Sequence, residues 1–127
     1  MALIPEFLNQ PLLDAYPHNC CLVSTLLDDG YCQVALRGSI HVYDQDTLAY
    51  WDRGAGTTHD TVDDGTKVTV FFRNPELSAS SGNGVLPAGG AARFYGTAEV
   101  HEDDGEIRDR VWNGMIEVER SRDPEKK

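Results

Sequence analysis

A run of alternating side chains constrains the fold of this chain more than any other feature. The segment YCQVALRGSIHVY extends from Tyr31 to Tyr43. One parity holds Cys32, Val34, Leu36, Ile40 and Val42, and the other holds Gln33, Ala35, Arg37, Ser39 and His41. A period of two residues is typical of a β-strand with two distinct faces. The run CCLVSTLL ends in DDG just before this segment, which predicts a β-hairpin.

Further strand patterns follow, and helical patterns stand at both ends of the chain. TLAYWD, TKVTVFF and AARFYGTAEV predict a third, a fourth and a fifth strand. Apolar spacing predicts a short or kinked helix around Pro11 and a closing helix over EIRDRVWNGMIEVERSR. Between them we expect a glycine-rich turn into a short helix over 54–64 and a long mobile loop over 74–90. These elements predict a mainly β protein, a small antiparallel β-barrel with flanking helices.

Length and charge limit the classes of partner. The 127 residues suffice for a single domain, 1–127, and the net charge of −10 disfavours nucleic acid and anionic membrane surfaces as partners. No run approaches the roughly 20 apolar residues that span a bilayer, and MALIPEFLNQP does not resemble a secretory leader, so we expect a cytoplasmic protein. Cys20, Cys21 and Cys32 fit neither a disulfide framework nor a metal site, and we expect buried free thiols.

Two short motifs admit a structural and a binding interpretation. Arg37-Gly38-Ser39 is an exposed strand with a bulge, or a place where bare backbone lets a flat ligand approach while the arginine holds an anion. DRGAGTTHD is a turn with a helix cap, or a phosphate site built from backbone N–H groups, Thr57, Thr58 and Arg53. The four histidines are too scattered to predict a metal site.

Three blocks of sequence together resemble a known family. STLLDDGYCQVALRGSIHVYDQDTLAYWDR, GTTHDTVDDGTKVTVFF and ARFYGTAEV occur in the order and approximate spacing of the pyridoxamine 5′-phosphate oxidase-like split-barrel family, especially its flavin-nucleotide-binding branch. The resemblance covers most of the chain. It implies a split β-barrel of the FMN-binding type that forms a homodimer, with FMN in a cleft between the subunits.

The resemblance also implies which residues bind FMN, while it assigns no catalytic residue. The flavin would lie along Leu36, Arg37, Gly38 and Ser39, the next strand would contribute Trp51, Asp52 and Arg53, and the phosphate would meet Gly56, Thr57 and Thr58. Thr58 stands where true pyridoxamine phosphate oxidases have a lysine. The family often continues with another hydrophobic strand, so we expect that this strand is absent here or that the chain was shortened.

Three functions remain open from the sequence. The first is an FMN-dependent oxidoreductase acting on a small organic substrate, in which the flavin carries the redox chemistry. The second is a non-catalytic flavin-type or haem-type binding module on the same barrel. The third is a dimeric scaffold without a cofactor, which the missing lysine permits.

Overall fold

The structure, a computed structural model, describes residues 3–51, 62–79, 86–87, 89–102 and 105–122. Its strands are β1 (Cys21–Leu26), β2 (Cys32–Arg37), β3 (His41–Asp44), β4 (Thr47–Ala49), β5 (Lys67–Arg73) and β6 (Ala91–Thr97). Its helices are α1 (Asn9–Leu13), α2 (Glu106–Gly114) and α3 (Glu117–Ser121), with 3₁₀ helices at Glu6–Leu8 and Pro75–Leu77. Strands β2-β1-β5-β6 form an antiparallel sheet in that order, and β3 and β4 form a separate hairpin. The predicted β architecture with flanking helices is confirmed.

The first hairpin forms where DDG predicted it. Leu27 donates its backbone N–H to the Tyr31 carbonyl at 2.8 Å, and the Asp29 carboxylate accepts the Tyr31 N–H at 3.0 Å. Gly30 has a φ of 89°, a conformation that favours glycine. The turn therefore fixes the register in which Leu26 faces Cys32.

The core lies on one side of the four-stranded sheet. Cys21 and Val23 of β1 and Phe72 of β5 are completely buried. Against them pack the N-terminal helical segment and the start of the second hairpin, through Leu8, Leu12, Ala15 and Ile40. Burying a large apolar side chain such as Leu8 or Leu12 contributes roughly 1.5–3 kcal/mol. This layer therefore holds the N-terminal segment to the sheet.

The prediction of one continuous strand from Tyr31 to Tyr43 is wrong, because β2 ends at Arg37 and β3 begins at His41. Side chains distant in sequence cause the break. A Cβ on Gly38 would lie 2.3 Å from Glu119 Oε1 and 2.9 Å from Tyr16 Cδ2, so only glycine fits beneath them. The alternation of side chains continues through the turn although the strand does not.

The prediction of a single closing helix is also wrong. Helix α2 ends at Gly114, Met115 is extended with φ −76° and ψ 155°, and α3 begins two residues later. The break turns Met115 into the core, where it is 3% exposed. Gly114 packs on β3, since a Cβ there would lie 2.6 Å from His41 Nε2.

The expectation of buried free thiols is only partly met. Cys21 is buried and Cys20 half-buried, but Cys32 is exposed because it lies on the solvent side of the edge strand β2. Within the described part of 74–90, the stretch expected as a loop, Ser78 and Leu86 form an isolated β-bridge, and both residues are buried. None of the helices within the described ranges is long and apolar enough to cross a lipid bilayer.

Two glycines with similar backbone angles provide a matched test of this fold. Gly90, with φ 70°, starts β6 beneath Asn74, and a Cβ on it would lie 1.9 Å from the Asn74 carbonyl oxygen. Gly30 has open space around it. We expect Gly30→Ala to cost about 1–2 kcal/mol of unfolding free energy from backbone strain alone. We expect Gly90→Ala to cost about 3 kcal/mol or more, because the backbone itself must move. Urea unfolding measures both, and equal losses would contradict this account.

His41 makes the stability of the chain depend on pH. It is 5% exposed, its Nδ1–H donates to the Ser39 carbonyl at 2.8 Å, and its Nε2 has no hydrogen-bond partner within the described part of the chain. Burial lowers the pKa of His41 from 6.5, although the hydrogen bond to Ser39 opposes this shift. The unfolded chain therefore binds a proton at a higher pH than the folded chain does, and acidification below about pH 6.5 favours unfolding.

We expect the free energy of unfolding of the wild type to fall more steeply between pH 7.5 and pH 5 than that of His41→Asn. The asparagine amide can keep the hydrogen bond to Ser39 but does not titrate. Chemical unfolding at both pH values measures the difference, and parallel pH profiles for the two proteins would show that His41 is not responsible.

Candidate functional site

One face of the four-stranded sheet is largely apolar and open to solvent. We call it the outer face, and its residues are Leu22, Ser24, Leu26, Cys32, Val34, Leu36, Lys67, Thr69, Phe71, Arg73, Ala91, Arg93, Tyr95 and Thr97. Leu26, Val34, Leu36 and Tyr95 are 69%, 55%, 68% and 76% exposed. On β2 the apolar parity therefore points away from the core. A contiguous apolar surface of this kind is typical of a site that binds a ligand or another protein.

The charge of the sheet is opposite to that of the chain. The chain has 21 acidic and 11 basic residues, yet the four strands of the sheet contain no Asp or Glu. Their outer face carries Lys67, Arg73 and Arg93, all exposed. The Arg93 guanidinium lies 5.0 Å from the centre of the Phe71 ring. The outer face is therefore a locally cationic surface on an acidic protein.

A cavity of about 260 Å³ opens on the outer face. We call it the outer cleft. Its floor is the apolar row of three paired positions, Leu36 beside Leu22 beside Phe71. One wall is the segment His18, Asn19 and Cys20, and Arg73 and Pro75 complete the lining. The cleft thus combines a flat apolar floor with polar groups at its edge.

Side chains at the C-terminal end of α3 contact the residues that precede this wall. The Arg122 guanidinium lies 4.7 Å from the centre of the Tyr16 ring and donates a hydrogen bond to the Tyr16 hydroxyl. It also pairs with the buried carboxylate of Glu119 at 3.1 Å. Asn19 is held by its backbone N–H, which donates to the Ala15 carbonyl at 2.7 Å. These contacts fix the residues that precede and form the wall.

The thiols near the cleft are not nucleophiles. Burial, with a smaller contribution from the Glu119 carboxylate, raises the pKa of Cys20. Burial raises the pKa of Cys21 to about 12. Both side chains are therefore protonated near neutral pH, whereas a reactive cysteine requires a thiolate.

The predicted site residues Leu36 and Arg37 lie on opposite sides of the sheet. Leu36 forms part of the floor of the outer cleft. Arg37 is the last residue of β2, and its guanidinium lies 5.4 Å from the centre of the Tyr50 ring on the other side. Neighbouring residues of a strand face opposite ways, so the two cannot contact one ligand from a single face.

Gly38 and Ser39 lie in the turn after β2, and side chains of this chain already engage them. Glu119 and Tyr16 fill the space above Gly38, where the sequence suggested that a flat ligand approaches bare backbone. The buried Ser39 hydroxyl accepts the Trp51 N–H at 3.0 Å and donates to the Trp51 carbonyl at 3.4 Å. In this structure both residues contribute to the packing of the barrel.

Trp51 is part of an aromatic and cationic cluster with α2. Its ring meets Trp112 edge to face at a centroid distance of 5.1 Å, and the Arg108 guanidinium lies 4.6 Å from its centre. The remaining predicted cofactor residues, Asp52, Arg53, Gly56, Thr57 and Thr58, lie outside the described residues. Among the described residues, no group of three His, Cys, Asp or Glu side chains could hold a metal ion.

Of the eight residues that line the outer cleft, sequence analysis proposed Leu36 alone as a site residue, and it missed the polar residues His18, Asn19, Cys20 and Arg73 together with Leu22, Phe71 and Pro75. The histidine was set aside because it belongs to no metal pattern, and the cysteine because it resembles a strand residue. Arg73 offered a modest signal, since it is a cation that directly follows the apolar run VTVFF and precedes Asn-Pro. No pattern along the chain links these segments to one another.

Comparison with known proteins supports the fold. No protein-family model matches the chain, and no curated protein sequence matches it. Among solved structures, the chain is similar to a tagged form of HupZ of Group A Streptococcus, with a TM-score of 0.59 and 22% sequence identity. The match covers 82% of this chain and 74% of that chain. The similarity concerns the fold, and the chain adopts the predicted split-barrel type of β architecture.

Proposed function

We propose that this chain is a non-catalytic binding module that holds a flat, anionic cofactor of flavin or haem type in the outer cleft of a homodimer. The observation that carries this proposal is the combination of Leu22, Leu36 and Phe71 as a flat floor with Arg73 at its edge. Ligand sites are typically apolar pockets in which a few polar groups fix the orientation of the ligand. The flavin and haem ring systems both present a flat apolar face and a charged group, a phosphate or carboxylates.

The residues of the cleft fit such a ligand in their chemistry. The floor lies on a sheet, so its side chains offer a broad apolar contact to a ring system. His18 and Asn19 supply hydrogen-bonding groups at one wall, and Arg73 supplies a positive charge. When bound, flavin would bring redox chemistry of its own, and haem would bring the chemistry of its iron.

The size of the cleft supports a homodimer. A volume of about 260 Å³ lies just below the roughly 300–1,000 Å³ typical of pockets that enclose a small molecule. One chain would therefore supply the floor and one wall, and a second copy packed on the apolar outer face would close the site. The same contact would cover the exposed side chains of Leu26, Val34 and Leu36.

A binding module is preferred to the FMN-dependent oxidoreductase because the groups that line the cleft are groups that bind and orient a ligand. Burial raises the pKa of the Cys20 thiol, which disfavours the thiolate that a nucleophilic role would need. The oxidoreductase, its small organic substrate and the FMN contacts of Thr57 and Thr58 remain predictions from the resemblance.

Titration of the purified protein with FMN and with haemin tests the proposal. We expect saturable binding of at least one of them near one ligand per chain, seen as quenching of flavin fluorescence or as a shift of the haem Soret band. Leu36→Ala should weaken binding by about 5- to 30-fold, because it removes about 1–2 kcal/mol of apolar contact from the floor.

Ile107→Ala is the matched control, since Ile107 is an exposed aliphatic side chain of α2 and lies neither in the cleft nor on the outer face. It should change the affinity much less than Leu36→Ala does. If the wild type binds neither FMN nor haemin, the proposal is wrong and the scaffold without a cofactor becomes the better hypothesis.

The dimer is tested separately by light scattering coupled to gel filtration. We expect the wild type to have the mass of two chains and Val34→Asp the mass of one, because burying an unpaired carboxylate in an apolar interface is strongly unfavourable. Val118→Asp is the control, since Val118 is 46% exposed and lies on α3. A wild-type protein with the mass of one chain would rule out the dimer.

A further inference from the structure

We infer that Arg73 is the residue that binds the anionic group of the ligand, whether this group is the phosphate of FMN or a carboxylate of haem. The inference rests on the proposed function and assigns one residue a role in it. Neither the sequence patterns nor the family resemblance singled out Arg73, since both directed attention to Arg37. Three features support the assignment. They are the anchoring of the guanidinium, the hydrogen-bonding groups of His18 and Asn19 in the same cleft, and the positions of the other basic side chains.

The Arg73 guanidinium is held in place by the backbone. Its Nε–H donates to the Gly89 carbonyl at 3.0 Å. Gly89 has a φ of 85°, and the hydrogen bond from Asn74 N–H to the Gly90 carbonyl, at 3.0 Å, keeps this glycine pair beside the end of β5. A guanidinium carries five N–H donors. Within the described part of the chain, the Nε–H of Arg73 is the one that donates to a protein acceptor, the Gly89 carbonyl.

An anchored guanidinium is well suited to bind an oxyanion. Because Nε is already engaged, the plane of the group is set before a ligand arrives, and less side-chain entropy is lost on binding. The terminal N–H groups can then donate two parallel hydrogen bonds to phosphate or carboxylate oxygens. In the same cleft, His18 and Asn19 provide further hydrogen-bonding groups.

The other basic residues of the sheet are poorly placed for this role. Arg37 lies on the opposite side, over Tyr50. Arg93 is on the outer face but lies over the Phe71 ring and does not line the cleft. Lys67 begins β5, at the end of the strand opposite to Arg73. Among the described strand residues, Arg73 alone combines a positive charge with a place on the outer cleft.

A comparison of charged and uncharged ligands on matched variants tests the inference. FMN and riboflavin share the ring and differ in the phosphate, and haemin and its dimethyl ester differ in the free carboxylates. We expect Arg73→Gln to weaken binding of FMN or haemin by about 10- to 100-fold and to leave binding of the uncharged analogue within about 2-fold. Lys67→Gln removes one positive charge from the same face, at the end of β5 opposite to Arg73, and should change both affinities little.

Arg73→Lys adds a second readout on a folded protein. It keeps the charge but not the fork of donors, so its loss of FMN or haemin affinity should be smaller than that of Arg73→Gln. Circular dichroism of each variant confirms that the barrel is intact.

The outcomes separate this inference from the proposed function. If the wild type binds a charged ligand and Arg73→Gln loses the charged and uncharged ligands equally, Arg73 has only a structural role and the inference is overturned. It is also overturned if Lys67→Gln loses as much as Arg73→Gln, since the effect then reflects the general field of the outer face. If the wild type binds none of the ligands, the proposed function and the inference fail together.

Discussion

The register of β1 is the constraint on which the rest of the structure depends. This strand pairs with β2 on one side and with β5 on the other, so Leu22 faces Leu36 and Phe71 at once. The same pairing places Cys21 and Val23 on the core side, where both are completely buried. Because strand side chains alternate with a period of two, a shift by one residue would exchange the core with the floor of the outer cleft. One set of hydrogen bonds therefore builds the hydrophobic core and the candidate binding site on opposite sides of one sheet.

Much of the fold could be predicted from the sequence because its strands and turns are specified locally. Gly30 and the carboxylate of Asp29 define the first hairpin by contacts within a few residues. The predictions failed where distant contacts decide the course of the backbone. At Gly38 the strand ends because Tyr16 and Glu119 lie against it, and at Gly114 the helix ends where its backbone packs on His41. Alternation and helical spacing describe side chains, and both continue through these breaks without a visible signal.

The candidate site was less predictable than the fold because it is assembled from three separate segments. The first segment is 18–22, which precedes and begins β1, the second is Leu36 near the end of β2, and the third is 71–75 at the end of β5. Of the residues proposed from the sequence, Leu36 lies in the cleft, while Arg37 belongs to the other side of the sheet. The resemblance treated these neighbours as parts of one site, although the alternation of a strand separates them. Gly38 and Ser39, which the resemblance implies line the flavin, are in contact with Glu119 and Trp51.

The distribution of charge bears on which ligands the proposed site in the outer cleft would accept. The net charge of −10 repels polyanions, and at physiological salt this repulsion is largely screened beyond a Debye length of roughly 8 Å. On the sheet itself the charges are of the opposite sign, because its strands contain no acidic residue and the outer face carries Lys67, Arg73 and Arg93. A small ligand with one compact anionic group can enter that local field, and its flat apolar part can cover the floor. A nucleic acid would have to bring many phosphates into the repulsive region for each one that reached Arg73. In the proposed site the apolar floor and the anchored cation would therefore act together, and neither alone would select a flat anion over a polyanion or a neutral ring.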